Sequence, residues 1–328
     1  MAAPKKTIER LLTIYQRQPS NRFGAEYQPA QLATTREAPS VSRATVLCAE
    51  KVGGREIHLM SQPEFAAALV ALYHPGVFDL HEQRLLSPGP CEHPLAGHPR
   101  AVGHRLRSLP GTVAVMDDMG LADKHPSLVD RRNQDPSTWR RVPWPYIGDL
   151  LLFAEDHDGP YCINWTVKGD VRSFSTRGGL GTKPSRRDED DIGVLRRHEV
   201  ERRHYGAGGI PTLQVVGSQF DPEVIANLRV LFMHHARRID MPMHRRQEVI
   251  SAIKAFIGTD VVLAGVLAEV SRDYSLDVFT ARVVLFQAVW SRQLRLDLFQ
   301  PIVADHRLVA EQEDVCSRYA DLFVRAAA

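Results

Sequence analysis

Tyr146-Ile147-Gly148-Asp149-Leu150-Leu151-Leu152-Phe153 and, after a short polar linker, Tyr161-Cys162-Ile163-Asn164-Trp165-Thr166-Val167-Lys168 decide the fold. The first run is apolar except for one acid. The second alternates: Tyr161, Ile163, Trp165 and Val167 fall on one face of a strand, and Cys162, Asn164, Thr166 and Lys168 on the other. The linker Asp156-His157-Asp158-Gly159-Pro160 suits a hairpin. The pattern predicts two neighbouring strands, over 146–155 and 161–169, with Asp149 able to face the same side as Thr166 and Lys168. A carboxylate inside an apolar run costs free energy unless it is paired or bound to a metal.

Upstream, Ser61-Gln62-Pro63-Glu64-Phe65 reads as a helix start, with Ser61 as N-cap and Pro63 in the first turn. The helix runs to about Tyr73 and stops at His74-Pro75-Gly76. Residues 43–60 read as one or two strands and 77–86 as another. Downstream, a charged helix over 190–205 ends at Gly206, Gly208 and Gly209, and 210–216 reads as a strand. A short N-terminal helix is predicted over 7–17. The segment 87–142 carries many histidines and prolines; a strand at 112–116 and an inserted hairpin are expected there.

From Asp221 the character changes. Four helical patterns follow, over 222–238, 244–257, 260–272 and 277–291, and 295–298 and 301–303 read as short wing strands. The expected division is a domain over 1–218, with 43–86 and 146–217 as its core and 87–142 as an insertion, and a helical domain over 219–328. The length of 328 residues suits about two domains.

The 44 % hydrophobic content suits well-formed cores, and no run approaches the ~20 apolar residues of a membrane helix. The N-terminus has no apolar signal region, so a cytoplasmic protein without a membrane partner is expected. The four cysteines form no CxxC pair, and Cys91, His93, His98 and His104 do not follow a common zinc-finger spacing. The stretch 177–183 has the glycines of a phosphate loop without its spacing. His234-His235 reads as a surface or interface pair on a helix. The net charge of +2 selects no partner, but arginine pairs recur at 131–132, 140–141, 186–187, 196–197, 202–203, 237–238 and 245–246, the residue type that phosphate contact uses.

An acid on a helix, an acid in one strand and a lysine ending the next suit metal-assisted phosphodiester hydrolysis. Glu64 and Asp149, with the backbone carbonyl of Val167, would hold Mg²⁺ or Mn²⁺. Lys168 would orient the attacking water or stabilise the charge that builds on the phosphate.

The order of these motifs resembles a PD-(D/E)xK, or restriction-endonuclease-like, nuclease. It is more specifically similar to the TnsA-type endonuclease subunit of heteromeric cut-and-paste transposons. The resemblance rests on 55–64, on His74-Pro75-Gly76-Val77-Phe78-Asp79-Leu80-His81-Glu82-Gln83, on Ile147 to Leu151 with Thr166-Val167-Lys168, and on 197–212. It implies an α/β (α+β) fold: a central mixed sheet flanked by helices, then a helical domain of winged-helix type. It implies Glu64, Asp149 and Lys168 as the catalytic set, with Thr166 where the family has Glu or Gln. It also implies cleavage of one DNA strand at each transposon end, a DDE-type transposase subunit as partner and an ATPase regulator. A stand-alone restriction or repair nuclease, and an inactive DNA-binding or bridging protein, are the alternatives.

Overall fold

The computed structural model describes residues 6–39, 43–133, 135–175 and 184–326, with 184–191 described by backbone alone. The glycine-rich stretch 177–183 and the side chains of Arg186 and Arg187 therefore lie outside the described residues. The chain divides into two compact units, one of residues 1–219 with 322–328 and one of residues 220–321. Residues 322–326, grouped with the helical half on sequence, thus belong to the first unit.

The first unit opens with α1 (Ile8–Arg17), the antiparallel pair β1 (Thr45–Cys48) and β2 (Glu56–Leu59), and α2 (Gln62–Tyr73). Next come β3 (Val77–Glu82), β4 (Leu85–Leu86), α3 (Thr112–Asp118), β5 (Ser127–Asp130) and β6 (Arg140–Pro143). The series closes with β7 (Tyr146–Ile147), β8 (Leu150–Asp156), β9 (Gly159–Lys168), α4 (Pro184–Ala207) and β10 (Thr212–Val216).

A mixed sheet in the order β10-β9-β8-β3 organises the unit. β8 and β9 form the expected hairpin, with Asp156 opposite Gly159 and Leu150 opposite Trp165. β10 lies parallel to β9, which requires a long crossover; α4 lies within it.

The register puts Leu80, Glu82, Leu150, Leu152, Ile163 and Trp165 on one face and Asp79, His81, Leu151, Phe153, Cys162 and Asn164 on the other. α2 packs on β3, β8 and β9. The second face packs Leu151, Phe153 and Cys162 against Tyr205 of α4, with Leu86, Leu95, Leu109 and Ile210. The chain is thus mixed α and β, with a mixed sheet flanked by helices.

Residues 112–116 form a helix, not a strand. Thr112, Val113 and Val115 are β-branched, but Val115 and Met116 bury together against Val200 of α4; this packing outweighs local propensity. An antiparallel hairpin, β5–β6, does occur in the inserted segment.

The second unit contains α5 (Pro222–His235), α6 (Met243–Ala255), α7 (Leu263–Asp273) and α8 (Val278–Trp290). α8 contacts the other three helices, and every residue from Val283 to Val289 is buried. Its second half is buried on every side because the helix is central. The wing strands expected at 295–298 and 301–303 do not form. Leu294, Leu296 and Leu298 are buried, but only isolated bridges, Leu296 to Ala310 and Val262 to Arg307, appear among the described residues. No helix among the described residues is long and apolar enough to cross a membrane.

Candidate active site

Two matched interruptions build the site. β3 and β4 are separated by Gln83 and Arg84, and β7 and β8 by Gly148 and Asp149. Asp149 therefore sits just before its strand, not inside it. The two breaks are sewn together by Gln83 N donating to Asp149 O (3.0 Å) and Gly148 N donating to Arg84 O (2.8 Å). A Cβ at position 148 would meet Glu201 Oε1 at 3.1 Å and Leu86 Cδ1 at 3.4 Å. Glycine there lets α4 come close to the break.

The Asp149 carboxylate is buried. Its Oδ2 accepts from Val167 N (2.8 Å) and from Lys168 Nζ (3.1 Å). Its Oδ1 lies 3.9 Å from Arg197 Nη2, and that same nitrogen donates to Ile147 O (2.7 Å). Burial pushes the Asp149 carboxyl up, but Lys168, Arg197 and the Val167 amide outweigh it and hold the group below its ordinary value. The Lys168 ammonium also donates to Val167 O (3.0 Å). It thus touches both of the oxygens expected, on sequence, to face a metal ion near Asp149.

Glu64 stands in the first turn of α2. Ser61 Oγ accepts from Glu64 N (3.3 Å) and donates to Glu64 Oε1 (2.9 Å). Oε2 accepts from Met60 N (2.9 Å) and from Gln83 Nε2 (3.1 Å). This is close to a capping box, so Glu64 has a structural task as well. The side-chain bonds use three of the roughly four lone-pair positions of a carboxylate. Burial, then the charge on Asp149, pushes the Glu64 carboxyl up to about 7, with Lys168 and the hydrogen bonds opposing. Gln83 links the two acids: its side-chain amide donates to Glu64 Oε2 and its backbone N–H to Asp149 O.

Glu201 on α4 went unrecognised in the sequence. It is 2 % exposed. Its Oε1 accepts from Asn164 Nδ2 (3.1 Å) and its Oε2 from Thr166 Oγ1 (3.2 Å). Burial raises its carboxyl, Arg197 lowers it and Asp149 raises it further. An acid therefore does stand at the level of Thr166, supplied by the facing helix. The available signal was periodicity: Arg197, Glu201, His204 and Tyr205 share one helical stripe, and Glu201, His204 and Tyr205 are buried. One turn earlier, both ring nitrogens of His198 are buried without hydrogen-bond partners. Burial, helped by Lys168 and Arg197, pushes that imidazole down to about 4.

The other candidate residues do not gather. His93 Nδ1 accepts from Leu95 N (3.1 Å) and His98 Nδ1 from Arg100 N (3.1 Å), and the Cys91 cluster forms no ligand group. His234 is buried, not superficial, with its ring 5.2 Å from that of Phe286. Asp156, His157 and Asp158 are the one group of three acidic or imidazole ligands within 4.8 Å among the described residues. They sit on the β8–β9 turn, where Arg325 clasps Asp156; Glu64, Asp149 and Glu201 are not drawn that close. Members of three arginine pairs are spent internally: Arg202 and Arg203 on Glu199, Arg132 on Asp130, and Arg246 on Gln287. No protein-family model matches the chain, and no curated protein matches it in sequence.

Proposed function

We propose that the chain is a metal-dependent nuclease built on a restriction-endonuclease-like core. The observation that carries this reading is the convergence of Asp149 Oδ2 and Val167 O on one cationic group, the Lys168 ammonium, at 3.1 and 3.0 Å. Two hard oxygens that already face one positive charge suit Mg²⁺ or Mn²⁺. Asp149 and the Val167 carbonyl would hold the ion, with Glu64 as the third donor. Bound there, the ion would polarise the scissile phosphate and lower the pKa of an attacking water.

The chain's own groups do the rest. Lys168, partly exposed and tethered to Asp149, can carry its charge to the phosphate oxygens as negative charge develops. Thr166 commits its hydroxyl hydrogen to Glu201, which leaves its oxygen lone pairs for a cation or a water. Arg197, beside Asp149 Oδ1, adds positive charge at the same end of the sheet.

DNA as substrate follows from the resemblance to PD-(D/E)xK nucleases. The narrower reading is a TnsA-type subunit that cuts one strand at transposon ends alongside a DDE-type transposase and an ATPase regulator; it rests on the order of the motifs alone. Thr166 in place of Glu or Gln, together with the ion pair of Lys168 and Asp149, favours the second reading, an inactive DNA-binding or bridging protein.

A nicking assay on supercoiled DNA with Mg²⁺ or Mn²⁺ separates the two, run with and without the partner subunits. The nuclease reading expects cleavage that falls by roughly a thousandfold in Asp149→Ala, the loss of about 4 kcal/mol of transition-state stabilisation. Equal rates for wild type and variant would remove Asp149 from the chemistry, and silence in every combination would favour the binding protein.

A further inference from the structure

Gln83 is one of three non-glycine residues with positive φ among the described residues, at φ +48°. A side chain in this left-handed region is strained, and glycine would occupy it more readily. Such strain persists only where the surroundings over-determine it. Here the backbone N–H, the carbonyl and the side-chain N–H are all used. Its N–H donates to Asp149 O (3.0 Å), and its carbonyl accepts from Ala30 N (2.9 Å) and from Gln18 Nε2 (3.3 Å). Its side-chain amide, in a residue only 5 % exposed, donates to Glu64 Oε2 (3.1 Å).

The backbone needs of the break would be met as well or better by glycine. Only the side-chain amide requires glutamine, and that amide reaches one group, the Glu64 carboxylate. The same residue is bonded through its backbone to Asp149. It is thus a single rigid link between the helix that carries one acid and the strand break that carries the other.

We propose that Gln83 is a positioning residue for the candidate metal site: its amide fixes the Glu64 carboxylate relative to Asp149, and the strained backbone is retained for that purpose. The proposal rests on the metal-site reading above. Partners of this kind, which orient a ligand without touching the ion, affect metal affinity by about 10- to 100-fold.

The test is calorimetric titration of the full chain with MnCl₂, with thermal melts of the same samples in EDTA, for wild type, Gln83→Gly, Gln83→Met and Asp149→Ala. Gln83→Gly relieves the strain and keeps every backbone bond, and Gln83→Met keeps the length and burial without the amide. The expected result is Mn²⁺ binding by wild type, loss of binding in Asp149→Ala, and about tenfold or greater weakening in both Gln83 variants, with Gln83→Gly melting no lower than wild type. Wild-type affinity in both Gln83 variants would overturn the positioning role while leaving the metal site standing. A wild type that binds no Mn²⁺, or an Asp149→Ala that binds it equally well, would overturn the metal site and this role with it. Weakened binding that merely tracks a lowered melting temperature in both Gln83 variants would reduce Gln83 to a structural residue.

Discussion

Thr166 donates its hydroxyl hydrogen to Glu201 across 3.2 Å, from the sheet to the helix that covers it. Asn164 reaches the same carboxylate from one pleat away along the strand. Glu201→Ala would leave a buried hydroxyl and a buried amide short of an acceptor. The expected cost is about 1–3 kcal/mol of stability, read as a lower urea midpoint. Glu201→Gln, which keeps one acceptor oxygen, should recover part of the loss. A midpoint unchanged in the alanine variant would mean that the contact has no energetic role.

The Glu64 carboxyl, pushed up to about 7 by burial and by Asp149, links stability to pH. A carboxyl raised in the folded state keeps its proton there while the unfolded chain has already lost it. Below pH ~4 both states are protonated and the group contributes nothing. As pH rises through ~4.5 towards 7 the unfolded state is favoured, by at most about 3 kcal/mol. In EDTA, wild type should therefore lose stability between about pH 5 and 8 relative to Glu64→Gln. Parallel pH profiles of the two melting temperatures would contradict this.

Arg55 and Glu82 form a buried pair beneath the sheet, with side chains 6 % and 0 % exposed. Nη1 donates to Oε1 at 3.0 Å, while Nη2 and Oε2 make a 2.9 Å ion contact. Burial still raises the Glu82 carboxyl, with Arg55 opposing. Arg55→Leu should cost about 3–5 kcal/mol, because it strands a buried acid. The double variant Arg55→Leu, Glu82→Leu should be milder than that single change. Equal or additive losses in a double-mutant cycle by denaturant unfolding would refute the coupling.

Phe323 lies in the tail that returns to the first unit. Its ring sits 4.0 Å from His74 and 5.2 Å from Trp165, and its carbonyl accepts from Tyr161 Oη (2.8 Å). Phe323→Ala should cost about 3 kcal/mol through the lost packing and lower the melting temperature by several degrees. A melt indistinguishable from wild type would show the tail to be dispensable.

The central hairpin was legible because alternation over 161–168 and an Asp-Gly-Pro linker agree with each other. Glu64 was legible for a local reason too: Ser61 and Pro63 mark a helix start wherever they occur in that spacing. What escaped was settled by tertiary contact. The strand expected at 112–116 is a helix because Val200, some eighty positions on, supplies its apolar partner. Glu201 is one charged residue among many on α4, and only burial against Asn164 and Thr166 singles it out. The wings expected at 295–298 and 301–303 do not form, because extended backbone becomes a strand only where a partner supplies a ladder of hydrogen bonds. The left-handed backbone of Gln83 had no sequence signature, since glutamine is not the residue that such a conformation favours.

The indole N–H of Trp165 donates to Leu322 O across 2.9 Å, a partner 157 positions later in the chain. A chain emerging from the ribosome therefore makes the central strand long before the acceptor for its largest buried side chain exists. The Trp165 indole must wait for both its acceptor and the Phe323 ring that packs on it while the whole helical segment is translated. Fragments that stop near 219, an obvious choice for expressing the first unit alone, would carry that defect permanently and should be less soluble than the intact protein.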